Sequence, residues 1–272
     1  MFSKVYNLYK RGEYIYKREG LKTLFKKTWN FYRDVIFIFI HRLNLIDKIF
    51  LSISLKRLRN LMEKENSLTD IIETPYNFRG LGIYRTIKPV QDKEELLLFL
   101  KTISESSPKV IVEIGTAFGG TLYCIARSIK DLIKVISIDN DDRFYNLGYF
   151  LIRTKLLKIF MKNGEIHFLI GSSHDINVET ELINILDGEK IDVLFIDGDH
   201  SYEGTKDDFE RYSKYIAPNG IIAFHDIVES KFSRDPAVCY RDIKEKYNYL
   251  RYKEIIANKE QVSGGIGLIY WS

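Results

Sequence analysis

The stretch Leu194 to Tyr212, "LFIDGDHSYEGTKDDFERY", decides how this chain is read. An apolar run stops at three ionisable side chains, Asp197, Asp199 and His200, and a helical pattern starts just after them. Carboxylates set two apart at the end of a buried strand are costly to desolvate unless a cation meets them. A strand that ends this way and feeds straight into a helix belongs to an open α/β sheet. In such a sheet the ligand sites lie beyond the strands' carboxyl ends.

Working outward, the same unit recurs. Continuous apolar runs stand at 110–114 ("VIVEI"), 135–138 ("VISI"), 166–170 ("IHFLI"), 192–196 ("DVLFI") and 221–224 ("IIAF"), with helical stretches between them. Apolar runs without alternation predict strands buried on both faces, as in a parallel sheet covered by helices. The closing runs "YKEIIA" and "IGLIYW" are too near each other for a helical crossover and are predicted to pair antiparallel. Residues 91–272 are therefore expected to form a doubly wound, Rossmann-like, mostly parallel α/β sheet with an antiparallel terminal hairpin. Asp92 to Ile103 is predicted to be a helix leading into it.

The other strand ends carry candidate binding residues. The first leads into "EIGTAFGGT", where Glu113 lies inside the strand and Gly115, Gly119 and Gly120 make the turn into a helix. This spacing departs from the dinucleotide fingerprint G-x-G-x-x-G, which weakens a nicotinamide reading. Asp139 ends the second run about twenty residues after the glycines, where an acid typically accepts ribose hydroxyls. The third ends "LIGSSHD", whose small residues Gly171 and Ser172 leave room for an adenine edge.

Together these residues resemble the class I S-adenosylmethionine-dependent methyltransferases. More narrowly, "EIGTAFGGT" with "LFIDGDHSYEGTKDDFERYSKYIAPNGIIAFHDI" is similar to the family containing sugar and small-molecule O-methyltransferases and cephalosporin-hydroxylase-like enzymes. The resemblance covers about Gln91 to Trp271. It implies that Glu113, Gly115 and Thr116, with Gly119 and Gly120 in the same turn, line the methionine end of S-adenosylmethionine. It also implies that Asp139 binds the ribose, that Gly171 and Ser172 flank the adenine, and that Asp197 borders the cofactor. In metal-dependent relatives the acid corresponding to Asp197 and an acidic pair after the fifth strand hold magnesium. Here that pair is His225–Asp226, and imidazole shifts the expectation from magnesium toward manganese. The implied activity is methyl transfer to a hydroxyl of a small molecule, sugar or glycan, with Asp199 as base and His200 in reserve.

Plainer readings stand beside these. Asp199 and His200 would equally serve to cap the helix near Tyr202. His225 would hydrogen-bond within its loop, and His174 and Asp175 would cap the next helix. Asp207 and Asp208 read as a solvated helix face. For the chain as a whole, the alternatives are a nucleotide- or NAD-dependent enzyme on the same sheet and a non-catalytic cofactor-binding or scaffold protein. The intact Asp197, Asp199 and Asp226 weigh against the last.

Charge divides the 272-residue chain unevenly. Residues 1–65 hold 15 Lys/Arg against 6 Asp/Glu, while the remainder is mildly acidic. Apolar residues from Leu21 to Phe39 fall at helical steps of three and four, and a second helical stretch runs from about Ile46 to Met62. This basic amphipathic extension is expected either to pack on the main domain or a twin subunit, or to lie on an anionic membrane with Trp29 and Tyr32 among the headgroups. Nucleic acid is not expected, since no base-reading motif accompanies the charge. Residues 66–90, with Pro75 and Pro89, read as a linker or irregular lid. Two cysteines, Cys124 and Cys239, form no disulfide or zinc pattern and suit a reducing compartment. The N-terminus lacks the apolar core of a signal peptide. The longest apolar run, "VIFIFI", is far short of the ~20 residues that span a bilayer. The expected location is cytoplasmic, peripheral to the membrane's inner face.

Overall fold

A computed structural model describes residues 26, 28–30, 32–33, 35–41, 43–140, 148–230, 234–257 and 263–272. The chain divides into two compact units, residues 1–49 and 50–272. In the first, the described residues between 26 and 41 are helical, while the start of the face expected from Leu21 lies outside the described residues. Helix α1 follows as Asn44–Met62, two residues longer at its start than the pattern predicts. No helix among the described residues is long and apolar enough to cross a membrane.

The second unit is built on one seven-stranded sheet in the order β3-β2-β1-β4-β5-β7-β6. Its strands are β1 (Val110–Ile114), β2 (Lys134–Asp139), β3 (Glu165–Ile170), β4 (Ile191–Ile196), β5 (Ile216–His225), β6 (Arg251–Ile255) and β7 (Ile266–Tyr270). The first five are parallel, and β7 runs antiparallel to both β5 and β6. Every residue of β1 is buried, as are the last four of β4 and the last six of β5, because helices cover both faces.

Residues 66–90 are more ordered than a linker. They hold α2, Leu68–Asn77, which starts on Ser67, whose side chain accepts the Asp70 amide. Pro75 sits inside this helix and leaves the carbonyl of Ile71 without its usual donor. The thiol of Cys124 stands 4.0 Å from that carbonyl and compensates in part. Proline therefore marked no boundary here. After a short turn at Gly82–Tyr84, the buried Arg153 of helix α5 (Tyr149–Leu157) donates to the carbonyls of Ile83, Thr86 and Phe118, tying this segment to the rest of the unit. Helix α3, Lys93–Ser104, begins on Asp92, whose carboxylate accepts the Glu94 amide at 2.8 Å.

Strand order reverses between β1 and β4, the place where open α/β sheets bind ligands. Register aligns the strand ends there. Ile114 pairs with Ile138 on one side and Ile196 on the other, and Ile196 pairs with Phe224. The residues one step beyond, Gly115, Asp139, Asp197 and His225, consequently form a row along one edge.

Candidate functional site

The turn from β1 into α4 (Gly120–Ser128) is shaped by contacts inside the protein. Gly115 has φ +91°, and a Cβ there would lie 2.0 Å from the carbonyl oxygen of Asp197. At Gly120 a Cβ would lie 2.2 Å from the backbone nitrogen of Pro89. These glycines let backbone pack on backbone. Asp139 holds the turn from the next strand: its Oδ2 accepts the amides of Thr116 at 2.8 Å and Ala117 at 2.7 Å. Ala117 takes a left-handed φ of +50°, which that double bond maintains. The hydroxyl of Thr116 turns away to Ser137. Glu113 is fully buried within β1, and that burial pushes its carboxyl well above the usual carboxylate range.

Ionisable side chains crowd the ends of β4 and β5. His225, 7% exposed, closes β5 and places Nδ1 3.1 Å from Asp197 Oδ1 and 3.7 Å from Asp226 Oδ1. Its Nε2 lies 3.9 Å from the buried carboxylate of Glu95. Burial alone would lower the pKa of His225. Asp197, Asp226 and Glu95 outweigh it and carry the imidazole up to about 9. The cation that meets the carboxylates of Asp197 and Asp226 at neutral pH is thus His225 itself. Asp226 has φ +62°, an uncommon conformation for a residue with a side chain, and the neighbouring histidines hold its carboxyl below the usual range against the opposing effect of burial. His200 sits above them, half exposed, with Nδ1 2.9 Å from Asp226 Oδ2 and Nε2 3.8 Å from Asp197 Oδ1.

Asp199 is placed differently. Its Oδ1 accepts the amide of Ser201 at 2.9 Å, and its carbonyl accepts the Thr205 hydroxyl. Helix α7, Tyr202–Tyr212, is capped by Ser201, whose side chain accepts the Gly204 amide. Asp199 therefore braces the turn ahead of the cap, and His200 takes no part in capping.

A cavity of about 580 Å³ gathers most of these groups. It is lined by Gly115, Asp139, Gly171, Ser172, Asp197, Asp199, His200, His225 and Asp226. Glu113, Thr116, Gly119 and Gly120 are not among its lining residues. A wider cleft of about 1320 Å³ shares Val90, His225 and Asp226 with this cavity and extends past Tyr76, Lys88, Gln91 and Lys93.

Three participants escaped the sequence reading. Gln91 donates from Nε2 to Asp197 Oδ2 at 2.6 Å and accepts the Thr121 hydroxyl at 2.6 Å, so it orients the central carboxylate. Glu95 accepts the Gly265 amide and faces His225. Asp208, read as solvated, is fully buried, with His174 Nε2 3.2 Å from its Oδ1. Burial raises the Asp208 carboxyl to about 6. His174 lines the cavity, while its neighbour Asp175 caps α6 (Ile176–Leu186) as expected. Both cysteines are buried free thiols.

Asp197, His225 and Asp226 offer donor atoms that all lie within 4.8 Å of one another. Two carboxylates and an imidazole make a donor set that a divalent cation fits, with manganese better suited to the nitrogen than magnesium. Such an ion would have to displace the proton that His225 carries.

Residues 112–227 match a family model described as a methyltransferase domain. A protein of Acanthamoeba polyphaga mimivirus is 30% identical over 131 residues, covering 47% of this chain and 56% of its own length. One from Sinorhizobium fredii is 25% identical over 122 residues, covering 44% and 13%. Both are described as uncharacterised, and the chain spans little more than half of the first and a small part of the second. Among solved structures, a TDP-rhamnose 3′-O-methyltransferase of calicheamicin biosynthesis aligns with TM-score 0.52 and 16% identity, over 80% of this chain and 93% of that one. An SAH-bound methyltransferase of Podospora anserina aligns with TM-score 0.51 and 12% identity, over 76% and 88%. These likenesses fix the fold. Residues 112–227 thus match a methyltransferase-domain model, and the sheet has the fold of these solved methyltransferases.

Proposed function

We propose, from the match of residues 112–227 to a methyltransferase-domain model and the likeness in fold to solved methyltransferases, that the chain is a class I S-adenosylmethionine-dependent enzyme that methylates a hydroxyl oxygen of a small molecule or sugar. The observation that carries this reading is the single cavity into which Gly115, Asp139, Gly171 and Ser172 open together with Asp197, His200, His225 and Asp226. Its volume suits one small ligand. S-adenosylmethionine, when bound, supplies an electrophilic methyl group. Asp139 and the loop it braces would hold the ribose, and Gly171 with Ser172 would border the adenine.

The acceptor would enter from the wider cleft beside Val90. A hydroxyl is a weak nucleophile at neutral pH, so its proton must leave as the methyl arrives. His200 is oriented for this. Its Nδ1 bonds to Asp226, which leaves Nε2 as the basic nitrogen, and that bond raises its affinity for a proton. Asp226 then stabilises the imidazolium that forms. Asp199, whose carboxylate already accepts an amide, is the second candidate base. Asp197, His225 and Asp226 would hold a divalent cation, which would lower the pKa of the acceptor hydroxyl. A glycan or nucleotide-bound sugar fits the cleft's size, and the likeness in fold to a sugar O-methyltransferase is in keeping with that class.

Calorimetry with S-adenosylmethionine, followed by methyl transfer to a panel of hydroxylated acceptors, tests the reading. Micromolar cofactor binding with transfer to at least one sugar or phenol is expected. No cofactor binding by folded protein would overturn it, and binding without transfer to any acceptor would leave a cofactor-binding protein. EDTA treatment followed by manganese or magnesium tests the cation separately.

A further inference from the structure

The N-terminal helices carry an apolar stripe that a soluble monomer rarely displays. Trp29 is 70% exposed and Ile36 56%, seven residues apart and so on one line of a helix, and Leu43, 58% exposed, follows at the bend before α1. Tyr32 and Phe39, both more than half exposed, fall between them at steps of three and four. Leu45 and Ile49, 71% and 48% exposed, continue the apolar surface into α1. Ile38 and His41, by contrast, are buried. The helix is therefore apolar on two sides, one packed and one facing out.

Charge selects what this outer side meets. Of the ionisable residues in the sequence from 26 to 49, five are Lys or Arg and two are Asp or Glu, and one of those acids, Asp47, is buried against His41 at 2.7 Å. Lys26, Lys48, Lys56 and Arg57 are exposed. A second copy of this face would bring like charges together, with almost no acidic side chains to pair them. An anionic lipid surface supplies the missing sign, and its headgroup layer is where Trp and Tyr settle. We propose that this stripe seats the protein on an anionic membrane, lying in the interface without crossing it. The inference is independent of methyl transfer.

Flotation of the full chain with vesicles tests it. One set is phosphatidylcholine alone, and the other is phosphatidylcholine mixed with phosphatidylglycerol. Strong binding to the mixed vesicles at low salt, weaker binding at high salt and little binding to phosphatidylcholine are expected. Combining Trp29→Ser, Ile36→Ser and Leu43→Ser should lower the partition roughly 100-fold, since three exposed apolar anchors are lost. Cofactor affinity measured by calorimetry should stay unchanged. Should the triple variant misfold by circular dichroism, Trp29→Ser alone is the test, with roughly tenfold loss expected. Full-length protein that ignores anionic vesicles overturns the proposal, as does binding indifferent to these substitutions or to lipid charge. A solution dimer that the same substitutions dissolve would overturn it in favour of a second copy.

Discussion

The two halves of the cavity are made of different material. At the ends of β1 to β3 the wall is backbone: a glycine turn, an alanine at positive φ, and amides held by Asp139. At the ends of β4 and β5 it is side chains: Asp197, Asp226, His200 and His225 in mutual contact, with Gln91 and Glu95 behind. Under the proposed function, shape is fixed on the first side and protons are handled on the second. Damage to the first should therefore appear as lost stability or cofactor affinity. Damage to the second should appear as lost turnover in a folded protein.

The sharpest contrast is expected at His200. His200→Gln keeps a polar group near Asp226 but removes the basic nitrogen. Turnover of a responsive acceptor should fall by ~10²–10⁴ with cofactor affinity nearly unchanged. Asp199→Asn should cost much less, because its carboxylate braces a turn. A reversal, with Asp199→Asn the more damaging, would move the base role to Asp199 and place His200 in support. Equal cofactor and turnover losses in His200→Gln would break the division between the two halves.

On the backbone side, Gly120→Ala is the most severe change. The added methyl would meet the Pro89 nitrogen at 2.2 Å and the Ile87 carbonyl oxygen and Pro89 ring Cδ at 2.5 Å, none of them the free end of a flexible side chain, so the segment 87–89 must shift. Overpacking of this kind costs about 1–3 kcal/mol, and the immovable neighbour argues for the upper end. Urea unfolding measures it. A loss under about 0.5 kcal/mol, the range of ordinary surface changes, would show that the glycine turn is not built for close packing.

Asp139→Ala is next. The variant loses whatever the carboxylate offers a ribose and also its two bonds to the Thr116 and Ala117 amides. S-adenosylmethionine should bind more weakly by about 2 kcal/mol, near thirtyfold, by calorimetry. Unchanged affinity in folded protein would remove Asp139 from the cofactor side altogether.

How much of this was legible in the sequence follows from the same contrast. Strand ends announce themselves, because a buried run stops at the first residue that must face a ligand. Asp139, Asp197 and the His225–Asp226 pair were found that way, as was the doubly wound sheet. The groups behind them gave no such signal. Gln91 is 106 positions from Asp197, and only the folding of α3 against the sheet edge brings them together. Asp207 and Asp208 look alike in sequence, yet neighbours on a helix point about 100° apart. Asp207 turns outward to Arg211, and Asp208 turns in to His174. The helix at 68–77 is hidden in the sequence, because Pro75 reads as a break and the thiol near the freed carbonyl comes from Cys124, 49 positions further along the chain. The glycines were located correctly, but the contacts that require them lie within the chain.

The last test concerns Glu113, which lines neither half of the cavity and sits on β1 between Ser137 of β2 and Phe195 of β4. Burial keeps its carboxyl protonated in the folded protein above its ordinary pKa of 4.5. The unfolded chain releases that proton as the pH passes 4.5, and the folded chain does not. The stability linked to Glu113 is therefore complete below pH 4.5 and is lost as the pH rises toward the folded-state pKa. Within that window the loss is about 1.4 kcal/mol per pH unit. Glu113→Gln preserves shape and carries no titratable proton, so its stability should lack this slope. Urea unfolding of both proteins at pH 5, 6 and 7 should give a gap that widens with pH in favour of the glutamine variant until the folded-state carboxyl itself titrates. Parallel curves would mean that Glu113 is ionised within β1. The strand would then hold a buried charge, and Glu113 would join the proton-handling side of the cavity.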